Sequence, residues 1–465
     1  MNNWLRQIVI IYFSFACAYS FAQTSYIIGK APDYKGEEIS LYGFTDLITY
    51  TTVKESFDTI DAKGNFELST NVVNPSCYHV KINNKVGKLY MLTMYKYAFT
   101  FLPPDTIDYH NPNAEESVDL MIHGDSTELN ARIIDFNIQF DNFWQKNYKY
   151  FVAKKIHGRL DTFQLRMEER YKNVKSNYFK TYMRYTFAII NDNTGRHRNY
   201  LAAKYLVNHP IEYHNYEYME FFNQFFKQYL QTMSSGPLGN DILASINIDP
   251  NYKELNKTLK ADNWVANDTL RELVIIKGLY ELYYVPRFSK ANITALISEI
   301  NATTKIKEHK IICGNILRIF QNLQAGATAP DFALPDVNGN LHSIADYKGR
   351  YVYMNFFSPT STESIQELKK MEQVKTKYGD KVIFISICMT GKDKEFKDFV
   401  KKNPKYNWLF LNGTNYQNVL DSYMIKAPNV FYLVNKDGYL VQSPATKPSE
   451  GIEFKFKEIF KDRRR

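Results

Sequence analysis

The sequence predicts a multi-domain α+β protein: an N-terminal antiparallel β-sandwich, a central helical region and a C-terminal α/β domain. Three observations lead there. Apolar residues recur every second position in short runs up to residue 124. The period then lengthens to that of a helix, and beyond residue 326 strand-like and helix-like segments alternate. A chain of 465 residues is also too long for one core. The domains are placed at 23–124, 125–325 and 326–465.

Residues 1–22 precede these domains and read as a secretory signal peptide. Arg6 supplies the positive start, Ile8–Ala18 the apolar centre and Ser20-Phe21-Ala22 a small-x-small cleavage site. The apolar stretch is too short for a membrane span. Cys17 raises a lipoprotein alternative, but Ser14-Phe15-Ala16 is a poor lipobox. The expected address is the periplasm or outer cell envelope.

In the first domain, Tyr26–Gly29, Ile39–Tyr42, Phe66–Leu68, Tyr78–Ile82 and Phe99–Leu102 alternate as half-buried strands, with turns at 33–36, 61–65 and 83–84. Strands at this spacing suit a sandwich. In the second, Asp125-Ser126-Thr127-Glu128 caps a first helix. The pairs Phe221/Phe222, Phe225/Phe226 and Tyr229/Leu230 recur every four residues, and Ile312, Ile316, Ile319 and Leu323 repeat the pattern. These are the core stripes of a helical bundle. His209, Glu212, His214 and Glu217 hold metal-ligand chemistry, but Pro210 breaks any shared helix face, so no metal is expected.

The third domain carries ordered landmarks. Pro330-Asp331-Phe332 and Asn338-Gly339 precede a buried strand at Tyr351–Phe357. Ser361-Thr362-Glu363-Ser364 and a helix at Ile365–Tyr378 follow, then a strand at Val382–Ile387. Ala427-Pro428 leads into Val430–Val434 and the Asp437-Gly438 turn. This order resembles the periplasmic thioredoxin-like disulfide reductases (the TlpA-like group), whose pattern is strand, tryptophan, Cys-x-x-Cys, helix and a cis-proline loop. The resemblance implies a thioredoxin-like fold, and it covers nearly all of this domain. Ser361 and Ser364 stand at the two cysteine positions, Thr360 at the tryptophan and Glu363 at the proline between the cysteines. The first domain is similar to the uncharacterised β-sandwich found before such modules, through Asp61–Phe66 (Asp-x-x-Gly-x-Phe), Pro103-Pro104-Asp105 and Gly124.

Thiol–disulfide exchange needs a thiolate to attack and a second sulfur to resolve the mixed disulfide. A serine hydroxyl does neither, so the degenerate motif Ser361, Thr362, Glu363 and Ser364 implies no catalytic residues. Thr360 is expected to cap the helix, with Glu363 reaching back to it. Serine catalysis lacks a base, since His342 is the lone histidine of this domain. What the resemblance leaves is a peptide-binding ledge at Thr360, Ser361, Ser364, Ala427 and Pro428.

Cys17, Cys77, Cys313 and Cys388 form no Cys-x-x-Cys. Cys388 ends an apolar run and Cys313 sits on an apolar helix face, so both are expected buried; Cys77 is expected exposed. The peroxiredoxin pattern Pro-x-x-x-Thr-x-x-Cys finds only Pro359. Hydrophobic residues at 45% and charged residues at 23% suit a folded protein, and 36 Tyr and 32 Phe point to ring-built cores. The net charge of +9 is spread along the chain apart from Lys461–Arg465, with no nucleic-acid-binding motif. The expected function is a secreted, redox-inactive thioredoxin-fold module that binds a protein or peptide of the envelope, without cofactor or metal. The alternatives are an oxidoreductase working through the other cysteines or a partner's thiols, and a structural envelope protein.

Overall fold

The structure, a computed structural model, describes residues 24–103, 116–153, 156–283, 285, 287–391, 393–414, 416–425 and 428–461. The leader at 1–22, Cys17, Pro104-Asp105, Ala427 and Arg463–Arg465 lie outside the described residues. The described parts of Met1–Asp105 and Glu116–Ile316 form one compact unit, and those of Leu317–Arg465 a second.

The first unit opens with strands β1 (Thr24–Lys30), β2 (Glu38–Phe44), β3 (Thr52–Thr59), β4 (Asn65–Asn71), β5 (Ser76–Ile82), β6 (Lys85–Met91), β7 (Lys96–Phe101), β8 (Glu116–Ser117) and β9 (Leu120–Ile122). They form two sheets, ordered β4-β1-β7-β9 and β3-β2-β5-β6-β8. Pairing is antiparallel except at β1/β7 and β6/β8. Alternation drives this arrangement: Ile27, Leu41, Val80, Phe99 and Phe101 point into one shared core and are fully buried. At Gly29 a side chain has no room, because a Cβ there would lie 2.2 Å from the Phe66 ring. The Asp61 turn is built by its Oδ1, which accepts the N–H groups of Lys63 and Asn65 at 2.8 and 2.7 Å, with Gly64 at φ +84°.

Helices α1 (Leu129–Val152), α2 (His157–Arg170), α3 (Asn177–Asn193), α4 (Arg198–Tyr205) and α5 (Tyr216–Phe225) follow in the same unit. After them come α6 (Tyr229–Met233), α7 (Gly239–Leu243), α8 (Tyr252–Leu259), α9 (Asp268–Leu282), α10 (Lys290–Thr303) and α11 (Lys307–Asn322). Side-chain oxygens of Ser176, Asn215, Asn251, Asn267 and Ser289 cap α3, α5, α8, α9 and α10. The aromatic stripe is core: Phe221, Phe222, Phe225 and Phe226 are at most 1% exposed. It does not run as one helix, because Gln228 takes a left-handed conformation (φ +55°) between α5 and α6. Ile312, Ile316 and Leu323 of the second stripe are buried as well.

Helices also cover the outer face of β5 and β6. Asn130 accepts the Tyr90 N–H and donates to the Tyr90 carbonyl, at 2.7 and 2.9 Å, in place of another strand. Cys77, expected exposed, is therefore only 3% exposed and packs in one cluster with Leu129, Ile133 and Phe136. The helical cover, invisible in the local alternation around Cys77, is the reason.

In the second unit a hairpin, β10 (Leu334–Pro335) and β11 (Leu341–His342), precedes β12 (Tyr351–Phe357), α12 (Thr362–Tyr378) and β13 (Val382–Cys388). Next come α13 (Asp393–Lys402), β14 (Leu409–Asn412), α14 (Gln417–Ser422), β15 (Val430–Val434), β16 (Leu440–Gln442) and α15 (Ile452–Ile459). The sheet order is β14-β13-β12-β15-β16, with β12, β13 and β14 parallel and the last two strands antiparallel. Val352–Phe357 is buried throughout, as a central strand covered on both faces must be. Leu368, Met371, Phe396 and Phe456 bring α12, α13 and α15 onto this core. The protein is thus a multi-domain α+β chain with a thioredoxin-like C-terminal domain. No helix among the described residues is long and apolar enough to cross a membrane.

Candidate functional site

In open α/β sheets the reactive positions gather beyond the carboxyl ends of parallel strands. Here β12 ends at Phe357, and its parallel crossover through α12 sets the helix N-terminus just past that point. The turn between them is Ser358-Pro359-Thr360-Ser361.

The helix cap differs from the sequence expectation. Ser361, not Thr360, is the N-cap, and its Oγ accepts the Ser364 N–H at 3.2 Å. The Thr360 hydroxyl is engaged elsewhere, 3.1 Å from Ser358 Oγ, while Glu363 reaches Lys447 Nζ at 3.3 Å instead of turning back. Ser358 Oγ also lies 2.5 Å from Thr390 Oγ1, which follows β13.

Ser364 is fully buried. Its hydroxyl donates to Asn429 Oδ1 at 2.8 Å and accepts the Ser358 N–H at 3.2 Å. Asn429 directly follows Pro428, has φ +69°, and donates its own N–H to the Phe356 carbonyl at 2.8 Å. Asparagine is among the few residues that tolerate this conformation. The Pro428 loop is thus tied both to β12 and to the second motif position. Thr360 is exposed, and Ser361 and Pro428 are half-buried. Ala427 and the bond joining it to Pro428 lie outside the described residues.

The three described cysteines are free and buried. Burial pushes the Cys388 and Cys313 thiols up to about 12, and raises Cys77 further. Cys388 Sγ sits 3.3 Å from the Thr390 carbonyl. His342 belongs to the hairpin, with Nδ1 2.7 Å from the Tyr347 hydroxyl and Nε2 3.6 Å from Asp336. It is no partner of either motif serine.

Of the metal-ligand candidates in the helical region, His209, His214 and Glu217 are each engaged with a different partner. His209 accepts from Arg184 at 2.8 Å, His214 Nε2 lies 3.1 Å from Asn74 Nδ2, and Glu217 accepts from the Tyr90 hydroxyl at 2.7 Å. No group of three metal-ligating side chains occurs among the described residues.

Sequence reasoning missed Asn429, Ser358 and Thr390. The Pro-Asn dipeptide was a readable signal for the first; the other two meet only through strand register, in which Phe357 pairs with Cys388.

Residues 324–455 match the Redoxin family. Over 118 residues the chain is 25% identical to the thioredoxin-like protein YneN of Bacillus subtilis, covering 25% of this chain and 69% of that protein. Over 125 residues it is 27% identical to the thiol-disulfide oxidoreductase ResA of Bacillus cereus, covering 26% and 70%. A thioredoxin-like protein from Bacteroides caccae is 16% identical, with a TM-score of 0.35 and coverage of 55% and 91%. Residues 324–455 thus form a Redoxin domain that is similar to thioredoxin-like proteins and thiol-disulfide oxidoreductases.

Proposed function

We propose that this chain is a secreted, redox-inactive member of that family, whose motif surface holds an extended peptide of another envelope protein. One observation carries the reading: serines stand at 361 and 364, where the resemblance expects the cysteines, and both hydroxyls serve local structure. Ser361 caps α12 and Ser364 bridges Ser358 to Asn429. Two serines cannot store the electron pair that a reduced dithiol carries.

The remaining thiols favour the same reading. A reductase working through Cys77, Cys313 or Cys388 needs a solvent-reachable thiolate, whereas each is buried with its pKa raised. Exposed Thr360 beside half-buried Ser361 and Pro428 offers the kind of edge on which a partner's main chain can pair. The apolar leader supports export to the periplasm or outer envelope, and the ledge needs no cofactor.

Replacing Ser361 and Ser364 together by cysteine tests the placement. The account expects an intramolecular disulfide under mild oxidation and a gain of reductase activity over the parent chain. Two thiols that never pair would refute the alignment of these serines with the redox motif.

A further inference from the structure

The helical region holds a groove that the thioredoxin-like reading leaves unused. Its volume is about 460 Å³. That groove is lined from α2, α3 and α4, with Tyr171, Met183, Phe187 and Tyr205 as a buried floor. Four cationic side chains stand on it: Lys172, Lys180, Arg184 and Lys204. The acid among the lining residues is Glu168, which accepts from Gln164 Nε2 at 2.8 Å.

We propose that this groove is an oxyanion-binding site for a small ligand bearing phosphate or carboxylate groups, held by Lys180, Arg184 and Lys204. Lys180 and Arg184 are one helical turn apart on α3 and so share a face. Arg184 is pinned through Nη2, which donates to the Lys204 carbonyl at 2.7 Å and to His209 Nε2 at 2.8 Å. Its Nε and Nη1 are bonded to no described protein acceptor, and a guanidinium edge matches the fork of an oxyanion. Lys204 is held in place by Gln164 Oε1 at 3.2 Å and the Tyr200 hydroxyl at 3.0 Å. Neither of those partners is charged, so its positive charge is not neutralised.

Tyr205 belongs to the floor of the groove. The residue is fully buried, with Lys204 as the polar side chain beside its hydroxyl. Lys204 Nζ lies over its ring, 5.3 Å from the centroid. The volume suits a small molecule more than a polypeptide. Lys172 contributes least, since it already pairs with Glu169 at 2.5 Å on the exposed rim.

The test is isothermal titration of the full chain with inorganic pyrophosphate and, separately, with citrate, in low-salt buffer at pH 7. Saturable one-site binding of either probe is expected, and the tighter one tells whether phosphate or carboxylate is the preferred group. Arg184→Gln should weaken binding about tenfold or more, as loss of a charge-assisted hydrogen bond does. Lys180→Gln, at an exposed position that does not threaten folding, should weaken it about three- to tenfold. Lys394→Gln, an exposed lysine of α13, should change nothing. Absence of saturable binding by both probes, or affinity that Arg184→Gln and Lys180→Gln leave unchanged, would overturn the proposal.

Discussion

Ser364→Ala removes one hydroxyl and strands two buried groups. The Ser358 N–H and the Asn429 carboxamide oxygen each have Ser364 as partner, at 3.2 and 2.8 Å, in a position without solvent access. Leaving a buried donor or acceptor unmatched costs about 1–3 kcal/mol apiece, so the substitution should cost roughly 2–6 kcal/mol locally. The loss should fall on the junction of β12, α12 and the Pro428 loop. Native-state hydrogen exchange of peptides covering 351–364 and 428–434 reads it: these amides should open faster, while peptides from β13 and β14 change less. Asn429→Gly keeps the positive φ and removes the acceptor, so a double-mutant cycle with Ser364→Ala should return a coupling of about 1 kcal/mol. A Ser364→Ala chain within about 0.5 kcal/mol of the parent, or a cycle without coupling, would refute the view that this hydroxyl holds the loop.

Three further outcomes follow from buried groups. Glu217 is held up to about 7 by burial, against the pull of the Tyr90 hydrogen bond, from an ordinary 4.5. A folded-state carboxyl with a raised pKa binds its proton more readily than the unfolded chain, so stability falls as pH rises from about 4.5 through about 7, by up to about 3 kcal/mol. Urea unfolding at pH 5 and pH 8 should show this decline, and Glu217→Gln should flatten it. In the chain lacking residues 1–22, Cys77, Cys313 and Cys388 should resist a thiol reagent at pH 8 until denaturant is added; rapid labelling of any of them in the native state would contradict their burial. Gly29→Ala should destabilise the sandwich by about 1–3 kcal/mol by driving a methyl into the Phe66 ring and to 2.8 Å from the Phe99 carbonyl, readable as a lower urea midpoint.

Much of the architecture was legible because it rests on period. The two-residue alternation of Tyr26–Gly29 and Phe99–Leu102 and the four-residue recurrence of Phe221 to Phe226 each encode which face is buried. The strand, helix and strand around Ser364 were legible by their place in an ordered series of landmarks. What local sequence could not show is how one element covers another. Cys77 lies in an ordinary alternating strand, and only the helices over its outer face bury it. The cap moved by one residue for a comparable reason. Thr360, Ser361 and Thr362 are all competent caps, and the choice fell to Ser361 because the Thr360 hydroxyl lies against Ser358, whose own hydroxyl meets Thr390 across the strand ends. Asn429 joins Ser364 over 65 residues of chain, a contact set by the pairing of β12 with β15.

The most direct measurement is turnover of a standard protein disulfide by the full natural chain with dithiothreitol as electron source. The account predicts a rate indistinguishable from dithiothreitol alone, because no described thiol reaches solvent and the Ser361 and Ser364 hydroxyls cannot exchange disulfides. A rate clearly above that background, abolished by alkylating the chain's own cysteines, would contradict it.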